Sequence, residues 1–82
     1  MNEPLRIAVA DDEAEMREFF RFALGKLKHH LVAEAGTGRE LVECCRAARP
    51  DLIITDVKMP GLDGIAAAEA VYREAPVPAI LV

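Results

Sequence analysis

The feature that most constrains this chain is an alternation of short apolar runs with stretches of helical periodicity. Residues 5–10 (Leu-Arg-Ile-Ala-Val-Ala), Leu31-Val32-Ala33, residues 52–55 (Leu-Ile-Ile-Thr) and residues 78–82 (Pro-Ala-Ile-Leu-Val) are too short for helices. Little polar alternation breaks them, as expected of strands buried on both faces. Between the first two runs, Met16, Phe19, Phe20, Ala23, Leu24 and Leu27 recur at three and four, opposite Glu15, Arg17, Glu18, Arg21 and Lys28. That spacing predicts an amphipathic helix, in which Gly25 is tolerable at about 1 kcal/mol relative to alanine.

Gly36 closes the second run, and Thr37 followed by Glu40 has capping-box spacing for a helix that sets Leu41, Val42, Cys45 and Ala48 on one side. Pro50 stops it. Asp63 is placed to cap a third helix, with Ile65, Ala68, Val71 and Tyr72 at helical intervals until Pro76 and Pro78. The order β-α-β-α-β-α-β implies a parallel sheet with right-handed crossovers and an α/β fold. At 82 residues the chain holds one domain or a piece of one. The final Ala-Ile-Leu-Val run is an apolar, unprotected edge, which leads to the expectation that the sheet continues beyond Val82. A further βα unit and a half would bring the domain to about 120 residues.

No window approaches the roughly 18 unbroken apolar residues of a membrane span, so the chain reads as soluble. Ten basic against fourteen acidic side chains leave a net charge of −4. That balance argues against attraction to a polyanion, and this segment is expected to make no direct nucleic acid contact. Met1-Asn2-Glu3-Pro4 carries no targeting signal, which gives a cytoplasmic expectation. Cys44 and Cys45 are adjacent, where a disulfide would be strained and close no useful loop, so reduced thiols in a reducing compartment fit better.

In parallel α/β sheets ligands bind at the carboxyl ends of strands. Asp11 and Asp12 follow the first strand directly, and Asp56 follows the third. If those strands are neighbours, three like charges share one small volume, and a cation is the simplest way to hold them there. Carboxylate oxygens without a His or Cys cluster select a hard ion, and an open site suits Mg²⁺ better than Ca²⁺. With a metal beside it, one carboxylate can act as nucleophile toward a phosphoryl group, and Asp56, alone at its strand end, is the candidate. Asp12 has a second reading, because its spacing to Glu15 also matches a capping box. Asp56 has no helix start to cap, since Val57-Lys58-Met59-Pro60-Gly61 reads as a turn.

A strand ending in Val-Ala-Asp-Asp-Glu, followed some forty residues later by Asp-Leu-Ile-Ile-Thr-Asp-Val-Lys-Met-Pro-Gly-Leu-Asp-Gly, resembles the receiver domain of two-component response regulators. The likeness covers residues 5 to 82. It implies a flavodoxin-like, doubly wound sheet of order 2-1-3-4, with residues 1–82 forming a receiver domain that lacks its fifth strand and last helices. It further implies that Asp11 and Asp12 bind Mg²⁺ and that Asp56 is the phosphoacceptor and also a metal ligand. The Lys58 backbone carbonyl would complete the metal site, Pro60 and Gly61 would shape the loop over it, and Gly64 would start the third helix with no side chain in the way. The partner implied is a sensor histidine kinase, and the output transcriptional or an RNA-binding antiterminator.

The same resemblance places a Ser or Thr after the fourth strand and a Lys after the fifth, both beyond Val82, and Thr55 and Lys58 do not replace them. That difference motivates an alternative, a receiver-like interaction module that works without phosphorylation. A Mg²⁺-dependent phosphohydrolase would need a further acid or base that the chain does not offer. The leading expectation is a switch and not a turnover enzyme, and the exposed edge leaves a homodimer or domain exchange open.

Weaker signals read as structural. His29 and His30 are adjacent, cannot share a helix face, and are expected to face solvent. Gly36-Thr37-Gly38 lacks the Lys-Ser/Thr of a phosphate loop and is expected to be a turn with a cap. Cys45 should lie in the core and Cys44 at its margin, and Phe19, Phe20 and Phe22 should be core and flank and not a stacking platform.

Overall fold

The computed structural model describes residues 3–82; the Met1-Asn2 part of the N-terminal segment lies outside them. Four strands and three helices alternate: β1 (Arg6–Ala10), α1 (Ala14–Lys26), β2 (His30–Ala35), α2 (Gly38–Ala48), β3 (Leu52–Thr55), α3 (Gly64–Glu74) and β4 (Ala79–Leu81). All pairings are parallel and the strand order is β2-β1-β3-β4. The chain runs outward from β1 to β2, then crosses back to β3, so the order reverses beside β1, where β1 and β3 lie side by side.

Side chains alternate between the two faces of the sheet, and the two faces are covered unequally. Ala8, Ala10, Ala35 and Ile53 face α2 and α3, packing with Leu41, Cys45, Met59, Ala67, Val71 and Val77. The strand alanines are small, which lets α2 sit close to β1 and β2. On the opposite face Ile7 and Val9 pack with Leu24 of α1, and Phe20, Leu31, Leu52 and Ile54 border them. There α1 is the sole covering helix among the described elements, so its apolar stripe is only partly used. Leu24 is buried and Phe20 and Ala23 half-buried, while Phe19 and Leu27 are 57% and 67% exposed. The spacing overstates this helix's buried face because no other helix among the described elements packs beside α1 to cover the flanks of its stripe.

Helix α3 is also turned from its expected face. Gly64, Ala67 and Val71 are buried, whereas Ile65 and Tyr72 are 52% and 59% exposed. Small residues at Gly64 and Ala67 allow the closer approach to β3, and that approach selects the face. The outer strands are less covered than their apolar runs suggest: β2 is mostly half-buried and β4 is exposed.

The caps follow the sequence in two of three helices. Thr37 accepts from the Glu40 N–H at 3.1 Å, and Glu40 returns a bond to the N–H of Gly36 at 2.8 Å, one residue before the usual capping-box partner. Asp63 accepts from the Ala66 N–H at 2.8 Å. The C-terminal end of α2 is closed by a distant residue: Arg6 of β1 donates to the carbonyls of Ala48 and Arg49 at 2.6 and 2.7 Å, meeting acceptors the helix leaves unpaired. Arg46 grips Glu74 at 2.7–3.0 Å and ties α2 to α3.

Candidate functional site

The end of β1 fixes the site. Asp56 N–H donates to the Ala10 carbonyl at 2.9 Å, and Asp11 N–H donates to the Ala35 carbonyl at 3.0 Å. The ladder therefore continues one residue past β1 on the β2 side and one residue past β3 on the other, and the adjacency of β1 and β3 sets Asp11 beside Asp56. One carboxylate oxygen from each of Asp11, Asp12 and Asp56 lies within 4.8 Å of the other two. Asp11 is only 5% exposed, Asp56 is half-buried and Asp12 is exposed, so the group opens to solvent on one side.

Capping does not account for Asp12. The N-cap of α1 is Glu13, whose side chain makes no cap bond. The free N–H at this end is met by Asp11, whose Oδ1 accepts from Glu13 N–H at 2.9 Å. That bond ties the Asp11 carboxylate to the turn that follows it. Asp12 is left to converge on Asp11 and Asp56.

The donor set fits a hard divalent cation. An octahedral ion that holds oxygen ligands at about 2.1 Å sets neighbouring ones about 3 Å apart and opposite ones about 4.2 Å apart, so the three carboxylates would draw inward around it from their 4.8 Å spread. No histidine or thiolate stands in the group, which favours Mg²⁺ over softer metals. When bound there, Mg²⁺ would neutralise charge on incoming phosphoryl oxygens and on the acceptor carboxylate.

The loop after β3 is held tightly at both ends. Thr55 is fully buried and its hydroxyl donates to the Asp56 carbonyl at 3.0 Å. Gly64 N–H donates to the Val57 carbonyl at 2.8 Å, so the chain turns back onto itself within seven residues. Met59 is buried in the α2–α3 core and pins the middle of the loop, with Gly61 at φ +75° beside it, in the left-handed region that glycine adopts freely. Lys58 leaves its side chain in solvent two residues beyond Asp56. A Cβ at Gly64 would overlap the Asp56 carbonyl, and one at Gly38 would overlap the Leu62 carbonyl. The start of α2 thus abuts the loop from the other side, a contact that spacing in the sequence did not signal.

Arg17 is the other residue that sequence reasoning passed over. Spacing places it only on the polar face of α1, yet its Nη1 donates to the Asp11 carbonyl at 2.7 Å. His29 departs from its expected solvent-facing role, since its Nδ1 accepts from Leu5 N–H at 2.9 Å. Cys45 is buried and Cys44 marginal, as expected. Cys44 Sγ donates to the Leu41 carbonyl at 3.5 Å; the neighbouring Cys45 thiol lowers Cys44 to about 7, and the same pairing together with burial pushes Cys45 up.

With the acidic group at the carboxyl ends of adjacent strands, the family comparison is decisive: residues 7–82 match the profile of the response regulator receiver domain. The chain belongs to that family. It is 40% identical over 78 residues to the transcriptional regulatory protein PdtaR of Mycobacterium tuberculosis, a match covering 95% of this chain and 38% of the relative. It is 42% identical over 79 residues to protein-glutamate methylesterase/protein-glutamine glutaminase 5 of Geobacter metallireducens, covering 95% of this chain and 22% of that protein. The response regulator domain of Thermotoga maritima CheB superposes with a TM-score of 0.89 at 32% identity, covering 96% of this chain and 60% of that one. This receiver therefore spans well under half the length of these curated relatives. No described helix is long and apolar enough to cross a membrane.

Proposed function

We propose that this receiver takes a phosphoryl group on Asp56 from the phosphohistidine of a sensor histidine kinase, with Mg²⁺ held by Asp11, Asp12, Asp56 and the Lys58 backbone carbonyl. The observation that carries this reading is the convergence of the three carboxylates within 4.8 Å at the carboxyl edge of the sheet, on the open side of which a donor can approach. An Asp56 oxygen attacks phosphorus, the P–N bond to the imidazole breaks, and the leaving nitrogen keeps the electron pair and takes up a proton. Asp56 is left as an acyl phosphate. The buried Asp11, gripped at its N–H and its carboxylate, keeps the cation side of the site fixed while Asp56 changes charge.

The greater length of the relatives supports reading residues 1–82 as the phosphoacceptor portion of a longer protein, with the remainder of the receiver and an output region following. A transcriptional output fits the name of the PdtaR relative, while the methylesterase relatives attach a catalytic output to the same kind of domain. The switch itself needs no turnover by this segment.

Incubation with acetyl phosphate and Mg²⁺ tests the proposal. Intact-mass measurement is expected to show one added phosphoryl group on the wild-type chain, none without Mg²⁺, and none on Asp56→Asn. Modification that persists in Asp56→Asn would overturn the assignment. A chain with no measurable Mg²⁺ affinity would favour the phosphorylation-independent interaction module instead.

A further inference from the structure

The network around Asp11 reaches one residue that has no part in the proposed ligand set. Asp11 is anchored at its N–H by Ala35 of β2 and at its carboxylate by Glu13 N–H. Its carbonyl is the remaining handle, and Arg17 holds it at 2.7 Å from one turn further along α1. The Arg17 guanidinium is itself held. Its Nε stands 3.8 Å from a carboxylate oxygen of Glu34, its side chain is 25% exposed, and its Nη1 lies against Gly36, where an added Cβ would sit 3.3 Å away. Glu34 is fixed in turn by Arg21, which donates through Nε and Nη2 at 2.9 Å each.

The geometry points to Arg17 as the positioning residue of the cation site, an inference that rests on the Mg²⁺ reading above. Helix α1 has no side-chain cap, so the turn from Asp11 to Glu13 depends on two bonds, the Asx-type bond of Asp11 and the Arg17 bond across the same turn. Three hydrogen bonds on one residue hold the Asp11 backbone and carboxylate in the position from which it meets Asp12 and Asp56. Without Arg17 the Asp11 peptide is free to tilt, and the cation has to reorganise the turn on binding. Arginine suits this place because a planar fork can meet the Asp11 carbonyl and lie beside Glu34 together, whereas the ammonium of a lysine is a compact point donor. Partners that orient a ligand in this way typically change metal affinity about 10- to 100-fold.

Titration calorimetry of Mg²⁺ into the unphosphorylated chain tests this, with Arg17→Met, Arg17→Lys and Arg21→Met beside the wild type. Arg17→Met is expected to weaken Mg²⁺ about tenfold, at the lower end of that range, and Arg17→Lys to recover part of the loss. Arg21→Met removes the stronger partner of Glu34 without touching Asp11, and is expected to bind Mg²⁺ as the wild type does. With acetyl phosphate, the Mg²⁺ concentration for half-maximal modification should rise in Arg17→Met while the rate at saturating Mg²⁺ stays near the wild-type value. Equal affinity in Arg17→Met and wild type, or equal losses in Arg17→Met and Arg21→Met, would overturn the inference. Should Arg17→Met fail to fold by circular dichroism, Arg17→Lys against Arg21→Met decides by the same comparison. A wild-type chain that takes up no Mg²⁺ would instead sink the reading of the site itself, so the two failures are distinct.

Discussion

Gly64 sits so close to Asp56 that no side chain can occupy it: a Cβ there would overlap the Asp56 carbonyl oxygen and come within 3.0 Å of the Thr55 hydroxyl oxygen. The first turn of α3 is thus pressed onto the backbone that carries the proposed phosphoacceptor, and its N–H holds Val57 from the same place. Gly64→Ala is expected to cost about 2 kcal/mol or more, since both neighbours are buried or held and cannot give way. Because the displaced atom belongs to Asp56, acetyl phosphate modification should slow even where the protein remains folded. Thermal unfolding and intact-mass time courses read the two effects separately.

Gly25 predicts the opposite. It lies inside α1, an added Cβ meets nothing within 4 Å, and its φ is not positive. Gly25→Ala should therefore stabilise the chain by about 0.5–1 kcal/mol, through lower backbone entropy in the unfolded state. A rise in the melting temperature with unchanged phosphoryl uptake is the expected result.

The Mg²⁺ reading makes a prediction that does not involve phosphorylation. A ligand that binds only the folded state stabilises it by about 2.7 kcal/mol at a hundredfold excess over its dissociation constant. The melting temperature of the wild type should climb with Mg²⁺ concentration, and that of Asp11→Asn or Asp56→Asn should not. In Mg²⁺-free buffer both variants should melt at or above the wild-type temperature, since each removes one of three mutually repelling charges. Asp11→Asn keeps an oxygen able to accept from Glu13 N–H, so it should leave the turn intact. Differential scanning fluorimetry with and without chelator measures all of these.

The order of elements and the three carboxylates were legible because they depend on local signals: apolar runs, caps at Thr37 and Asp63, and acids placed immediately after strands. Strand order was not written in those signals and came through the family likeness. What escaped were features set by distance in space. Arg17 looks like any residue of a solvated helix face until β2 brings Glu34 and Gly36 beneath it. Gly38 looks like part of a turn until the loop after β3 lays Leu62 against it. Periodicity also named Phe19, Leu27, Ile65 and Tyr72 as core-facing, because it reports which residues share a stripe and not how much of that stripe a neighbour covers.

Cys44 gives the last prediction. Its thiol is lowered from 9.0 to about 7, first by the neighbouring Cys45 thiol and against the opposing effect of partial burial. Alkylation by iodoacetamide should thus reach half its limiting rate near pH 7. Cys45, buried and raised by the same pairing, should remain unmodified while the fold holds. Cys45→Ala removes the neighbouring thiol and should move the Cys44 profile toward the ordinary thiol value, whereas Cys45→Ser keeps a polar hydrogen at that place and should move it less. The sign for stability follows. A thiol that ionises more readily in the folded state than in the unfolded one contributes stability that grows as pH rises from about 7 to 9.0 and is absent below that window. Above it, the raised Cys45 works in the other direction, because unfolding frees that thiol to ionise. Peptide mass mapping after alkylation across this range would refute the assignment if Cys44 reacted with the profile of a free thiol.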